Sequence, residues 1–140
     1  MTSEAQALSA LFEAAADVRV RAHAPYSNFF VGAAVLDDEG RIHVGCNVEN
    51  AAYPEGLCAE AGALAAMVAA GGGRRILAVA IVGGPAVGEE IQCPPCGGCR
   101  QKIREFAGEA TTVHLRDGAG EISSVALADL LPLSFGPGHL

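Results

Sequence analysis

Two short segments constrain this chain more than anything else in it: Cys58-Ala59-Glu60 and, well downstream, Pro95-Cys96-Gly97-Gly98-Cys99. Together they offer three thiols and one carboxylate. Cysteines at such spacing, in a chain too poor in them for a disulfide framework, point to a metal, and zinc is the usual occupant. A structural zinc closes its tetrahedron with four protein ligands, whereas a catalytic one keeps three and leaves the fourth position to water. Three Cys with a non-ligating Glu fit the catalytic case. Cys58, Cys96 and Cys99 are therefore the expected ligands and Glu60 the acid-base group. Any fold that carries them has to bring two distant stretches of chain together.

The placement has a physical logic. Cys58 and Cys96 each stand where a helix is expected to begin, and helix N-termini carry partial positive charge and free N–H donors that stabilise thiolates. Cys99 falls one turn beyond Cys96 on the same helical face. Residues two apart inside a regular helix point in different directions. Cys58 is thus expected at the entrance turn, with Glu60 just inside it.

Around these segments the pattern alternates strands and helices. Ser3-x-x-Gln6 reads as a capping box opening a helix over 5–20. Strands are expected over 31–36 and 41–46, joined by the turn Asp37-Asp38-Glu39-Gly40. A helix over 58–70 stops at Gly71-Gly72-Gly73, which lacks the Gly-Lys-Ser/Thr ending of a phosphate loop. An apolar strand over 76–82, a loop over 83–95, a helix over 96–106 and a strand over 111–115 follow. A last helix is expected over 124–131. The sum is an α/β layered domain with an antiparallel start and a parallel finish.

Length and charge narrow the function. A chain of 140 residues is expected to form one domain over 1–140. Glu4, Glu13 and Asp17 interrupt the N-terminal stretch, so a signal peptide is not expected. The longest apolar run, 61–70, is too short to span a bilayer. Five cysteines, an odd number, suit a reducing compartment, so a cytoplasmic location is expected. With 9 basic residues against 16 acidic ones and a net charge of −7, the chain repels phosphate backbones, and a small-molecule substrate is expected in place of a nucleic acid polymer. A hydrophobic content of 51% lies slightly above the usual range and hints at apolar surface buried between subunits.

The chain resembles the small cytidine deaminases whose zinc ligands are all cysteine. The segments that carry the resemblance are Ala24-Pro25-Tyr26-Ser27-Asn28-Phe29-Phe30-Val31-Gly32-Ala33-Ala34, Gly45-Cys46-Asn47-Val48-Glu49-Asn50-Ala51-Ala52-Tyr53, both zinc segments, and Leu130-Leu131-Pro132-Leu133-Ser134-Phe135-Gly136-Pro137. The zinc segments also follow the general signature of nucleobase deaminases, in which a Glu precedes Pro-Cys-x-x-Cys. The resemblance implies a three-layer α/β/α fold with a mixed sheet of about five strands. It further implies one Zn2+ per chain and hydrolysis of cytidine and 2'-deoxycytidine to the uridine nucleosides in pyrimidine salvage. A homotetramer with shared active sites would follow too.

Roles come with the resemblance. Glu60 would move the protons, Asn47 and Glu49 would bind the sugar, Phe29 would pack on the pyrimidine, and the backbone of Ala59 would contact the base. Tyr53 and Phe135 would complete a neighbouring subunit's pocket. Read without the resemblance, Phe29 is a core residue in an alternating apolar pattern, and Asn47 and Glu49 are polar residues at a strand end. One departure stands out: Ala61 occupies a position where many members of the family carry Arg.

Three other readings compete. Cys93 precedes Cys96 in Cys93-Pro94-Pro95-Cys96 and could close a structural zinc site, although the two prolines stiffen the chain and direct it away. A deaminase of a modified cytosine nucleoside such as blasticidin S would share the zinc segments. A polynucleotide deaminase is disfavoured by the charge. Cys46 reads as a small buried hydrophobe, and His23, His43, His114 and His139 are too scattered to form ligand pairs.

Overall fold

The computed structural model describes residues 3–140. Helix α1 (Glu4–Arg19) starts at the expected capping box, with the Ser3 hydroxyl accepting from the Gln6 N–H and the Gln6 side chain accepting from the Ser3 N–H. Strands β1 (Phe29–Asp37) and β2 (Ile42–Cys46) form the hairpin. Helix α2 (Ala59–Ala70) is capped at its end by Gly71, whose φ of 69° is a left-handed value that glycine adopts freely. Then come β3 (Ile76–Pro85), α3 (Gly97–Phe106), β4 (Ala107–Arg116), β5 (Ile122–Ala126) and the single turn α4 (Leu127–Leu130).

The five strands form one mixed sheet in the order β2-β1-β3-β4-β5. β1 is antiparallel to both β2 and β3, β3 and β4 are parallel across the α3 connection, and β5 returns antiparallel to β4. Side chains alternate across the central strands, as the pleat requires. Ala34, Ala80 and Val82 pack with Leu11, Phe12 and Ala15 of α1 on one face. Ala33, Val35, Val79 and Ile81 pack with Met67 of α2 and Ile103 of α3 on the other. Helices thus cover both faces, giving the three-layer α/β/α arrangement.

Several expectations change. Residues 124–126, expected as the start of a last helix, belong instead to β5, and of that stretch only Leu127–Leu130 is helical. The sheet therefore finishes antiparallel. The turn at Asp117, whose carboxylate accepts from the Ala119 and Glu121 N–H groups, sends the chain back along β4, and the ladder that follows outweighs the helical propensity of the Ala and Leu residues. β3 runs on to Pro85, because Gly83, Gly84 and Pro85 pair with the start of β1. No helix among the described residues is long and apolar enough to cross a membrane.

The β1–β2 turn is built around Asp37. Its carboxylate is fully buried, accepts from the Glu39 and Arg41 N–H groups, and lies 2.8 Å from Nε2 of buried His43. Burial alone would push the Asp37 carboxyl up, but the bond to His43 and the two backbone donors outweigh it and hold it at about 2.

Candidate active site

Cys58 and Cys96 are the N-cap residues of α2 and α3. Both have extended backbone, φ −75° and ψ 153° for Cys58 and φ −67° and ψ 169° for Cys96, so neither side chain follows the phase of its own helix. That break solves the spacing problem posed by Cys58 and Glu60. Cys58 reaches the metal region from the entrance turn while Glu60, in the first helical turn and only 5% exposed, approaches from inside. Cys99 is buried in the first turn of α3. The Sγ atoms of Cys58, Cys96 and Cys99 all lie within 4.8 Å of one another.

Such crowding is costly for bare thiolates. Burial first, then Glu60 and Cys58, push the Cys99 thiol far up, and burial raises Cys58 as well. Cys96 moves down, chiefly through the Cys99 N–H at the start of α3. Burial also pushes the Glu60 carboxyl up. A cation is what reconciles three thiols crowded beside a buried carboxyl, and a soft all-sulfur donor set of three selects zinc over calcium or magnesium. The donors present fit a zinc ion with one open position. All five cysteines are free, and Cys93 is outside the three-sulfur cluster.

A cleft of about 580 Å³ opens beside the cluster, lined by Cys58, Ala59, Glu60, Cys96, Asn47, Glu49 and Tyr53 among others. The segment 47–49 is held opposite α2 by pairing on both sides: Val48 exchanges bonds of 2.9 and 2.8 Å with Leu57, the Asn47 carbonyl accepts from the His23 N–H, and the Glu49 N–H donates to the His23 carbonyl. The Asn47 amide is partly occupied, accepting from the Val31 N–H at 2.8 Å and donating to the Phe29 carbonyl at 2.9 Å. It pins the start of β1 to the end of β2.

Residues 5–115 match the family described as the cytidine and deoxycytidylate deaminase zinc-binding region. The chain belongs to the cytidine and deoxycytidylate deaminase family. It is 42% identical to the cytidine deaminase of Sporosarcina psychrophila over 84% of this chain and 82% of that protein. It is 44% identical to that of Mycobacterium tuberculosis over 82% and 79%. The crystal structure of cytidine deaminase from Burkholderia pseudomallei superposes with a TM-score of 0.81 at 42% identity, covering 91% of this chain and 98% of that one.

Phe29, expected to pack on the substrate ring, does not line the cleft of the deaminase. Phe29 is half-buried, and a Cβ on Gly83 would come within 3.1 Å of its ring and 2.9 Å of the Cys93 Cβ, so ring and thiol flank that glycine. Phe135 is 57% exposed and stacks on His139 with centroids 5.1 Å apart. Tyr53 is 75% exposed and lines the cleft of its own chain, 5.9 Å from the ring of Tyr26. Sequence reasoning missed Tyr26, Ser27, Leu57 and Cys93 as cleft residues. The first two sit inside a segment that carried the family resemblance, which was the available signal.

Proposed function

We propose that this deaminase hydrolyses cytidine and 2'-deoxycytidine to uridine and 2'-deoxyuridine, releasing ammonia. The observation that carries the reading is the meeting of three thiols with buried Glu60 on the wall of a nucleoside-sized cleft. Similarity to proteins named cytidine deaminases supports the substrate.

Cys58, Cys96 and Cys99 would hold one zinc per chain. Zinc bound there would supply a Lewis acid that makes water easier to deprotonate. Glu60 takes the proton from the attacking water, gives it to ring N3, and moves a proton on to the departing amine at C4. The backbone of Ala59, buried beside Glu60, meets the base edge. Glu49 and Asn47 receive the sugar.

The wider assignment is a cytoplasmic enzyme of pyrimidine salvage, formed by one domain over 1–140 and assembled as a homotetramer. Five free thiols support a reducing compartment. The exposed rings of Tyr53 and Phe135 support shared sites, since a neighbouring chain would cover both. Incubating zinc-loaded protein with cytidine and measuring uridine and ammonia tests the reading. Equal amounts of the two products are expected; a folded protein with one zinc per chain and no uridine would overturn it.

A further inference from the structure

Glu49 does not stand alone in the cleft. Its Oε1 accepts from the Tyr26 N–H at 2.9 Å and from the Ser27 N–H at 3.2 Å, and its Oε2 accepts from the Ser27 hydroxyl. The direction of that last bond is fixed by chemistry. The Ser27 oxygen already accepts from the Phe29 N–H at 3.0 Å, so its own proton is free for the carboxylate. Asn28 makes the relay possible: its φ of 57° is a left-handed conformation that Asn tolerates, and it turns the Phe29 N–H back toward Ser27.

Counting lone pairs shows what is left for a ligand. Two N–H donors fill Oε1, whereas Oε2 carries one bond and keeps a lone pair free. The Asn47 side chain commits one lone pair and one N–H to the backbone of β1 and keeps one of each, but it carries no charge. Glu49 is therefore the stronger acceptor facing the cleft, and the Ser27 hydroxyl decides where its free lone pair points.

We propose that Ser27 is a positioning residue that locks the Glu49 carboxylate in the orientation that accepts the sugar hydroxyls of the nucleoside. The inference rests on the reading above that Glu49 binds the sugar. Ser27 also leads the groups that hold the Glu49 carboxyl below its ordinary range, which keeps it an acceptor.

The test compares cytidine with 2',3'-dideoxycytidine, which lacks both ring hydroxyls, on zinc-loaded protein. Ser27→Ala is expected to lower kcat/KM for cytidine about tenfold, mostly through KM, because a hydrogen bond that orients a charged group is lost. Dideoxycytidine should stay within about twofold, so the preference for cytidine collapses. Ser27→Thr keeps the hydroxyl and should restore the preference, and Ser27→Cys repeats the test at nearly constant volume should the Ala variant fold poorly. Equal losses on both substrates, or none on either, would overturn the role of Ser27. Glu49→Gln separates the two layers. If it leaves the preference intact, sugar binding by Glu49 itself fails; if it abolishes the preference while Ser27→Ala does not, only the Ser27 role fails.

Discussion

Gly45 in β2 lies so close to Ala63 in α2 that a Cβ built on the glycine would come within 2.3 Å of the Ala63 nitrogen and 2.5 Å of the Ala59 carbonyl oxygen. The contact is backbone against backbone, so neither side can give by rotating a side chain. It sets how deeply α2 sits on the sheet, and so where its first turn presents Cys58 and Glu60. Gly45→Ala is expected to cost about 3 kcal/mol, at the upper end for overpacking, and to lower zinc retention with it. Urea midpoints and metal content measure both; an unchanged midpoint would show that α2 is not seated by this contact.

The three-thiol cluster makes a selective prediction. Serine at Cys58, Cys96 or Cys99 should weaken zinc binding by at least about a hundredfold, since a thiolate ligand becomes a neutral hydroxyl. Cys93→Ser should retain one zinc per chain. Burial pushes the Cys93 thiol up to about 11, as befits a packed cysteine that stays protonated. Metal analysis after dialysis reads the four variants, and loss of zinc from Cys93→Ser would mean that Cys93 is a ligand.

Asp37 gives a pH dependence with a definite sign. A carboxyl held at about 2 when folded, against an ordinary 3.8, contributes stability that is present above about pH 4 and lost as pH falls toward 2. Asp37→Ala also leaves buried His43 and two backbone N–H groups without their acceptor, and should cost about 2–4 kcal/mol near neutrality. Urea unfolding at pH 7 and pH 3 should show the gap between wild type and variant narrowing in acid. A gap independent of pH would contradict this role.

Ala61 offers a gain-of-charge test. Arg100, beside Cys99, spends its guanidinium on the Pro95 and Leu130 carbonyls at 2.8 and 2.9 Å. An arginine at 61 would add a cation near Glu60 and the sulfurs, favouring the charged forms of neighbouring acids. Ala61→Arg is expected to move the acid limb of the kcat/KM profile down by roughly half a pH unit or more. An identical profile from folded, zinc-loaded protein would show that position 61 does not act on the site electrostatically.

The three-thiol cluster was legible because its chemistry is written in residue type and spacing: cysteines at two helix starts, one turn between Cys96 and Cys99, and a Glu just inside the first helix. The central strands were legible from their apolar runs. β5 was not, since Ile122-Ser123-Ser124-Val125-Ala126 is a half-polar strand running straight into Leu127, and only pairing with β4 decides its state. The Glu49 clamp was also hidden. It joins Tyr26 and Ser27 to a carboxylate more than twenty positions away, through a left-handed Asn28 that sequence periodicity does not register.

The role of Glu60 is tested most directly by following the loss of cytidine absorbance with wild type and Glu60→Gln at equal zinc content. Gln keeps the size and removes the proton carrier. Turnover by the wild type and a loss of at least about a thousandfold in the variant are expected, for a group used in every proton transfer. A Glu60→Gln protein that holds zinc and still turns over cytidine within about tenfold of wild type would contradict proton transfer by Glu60.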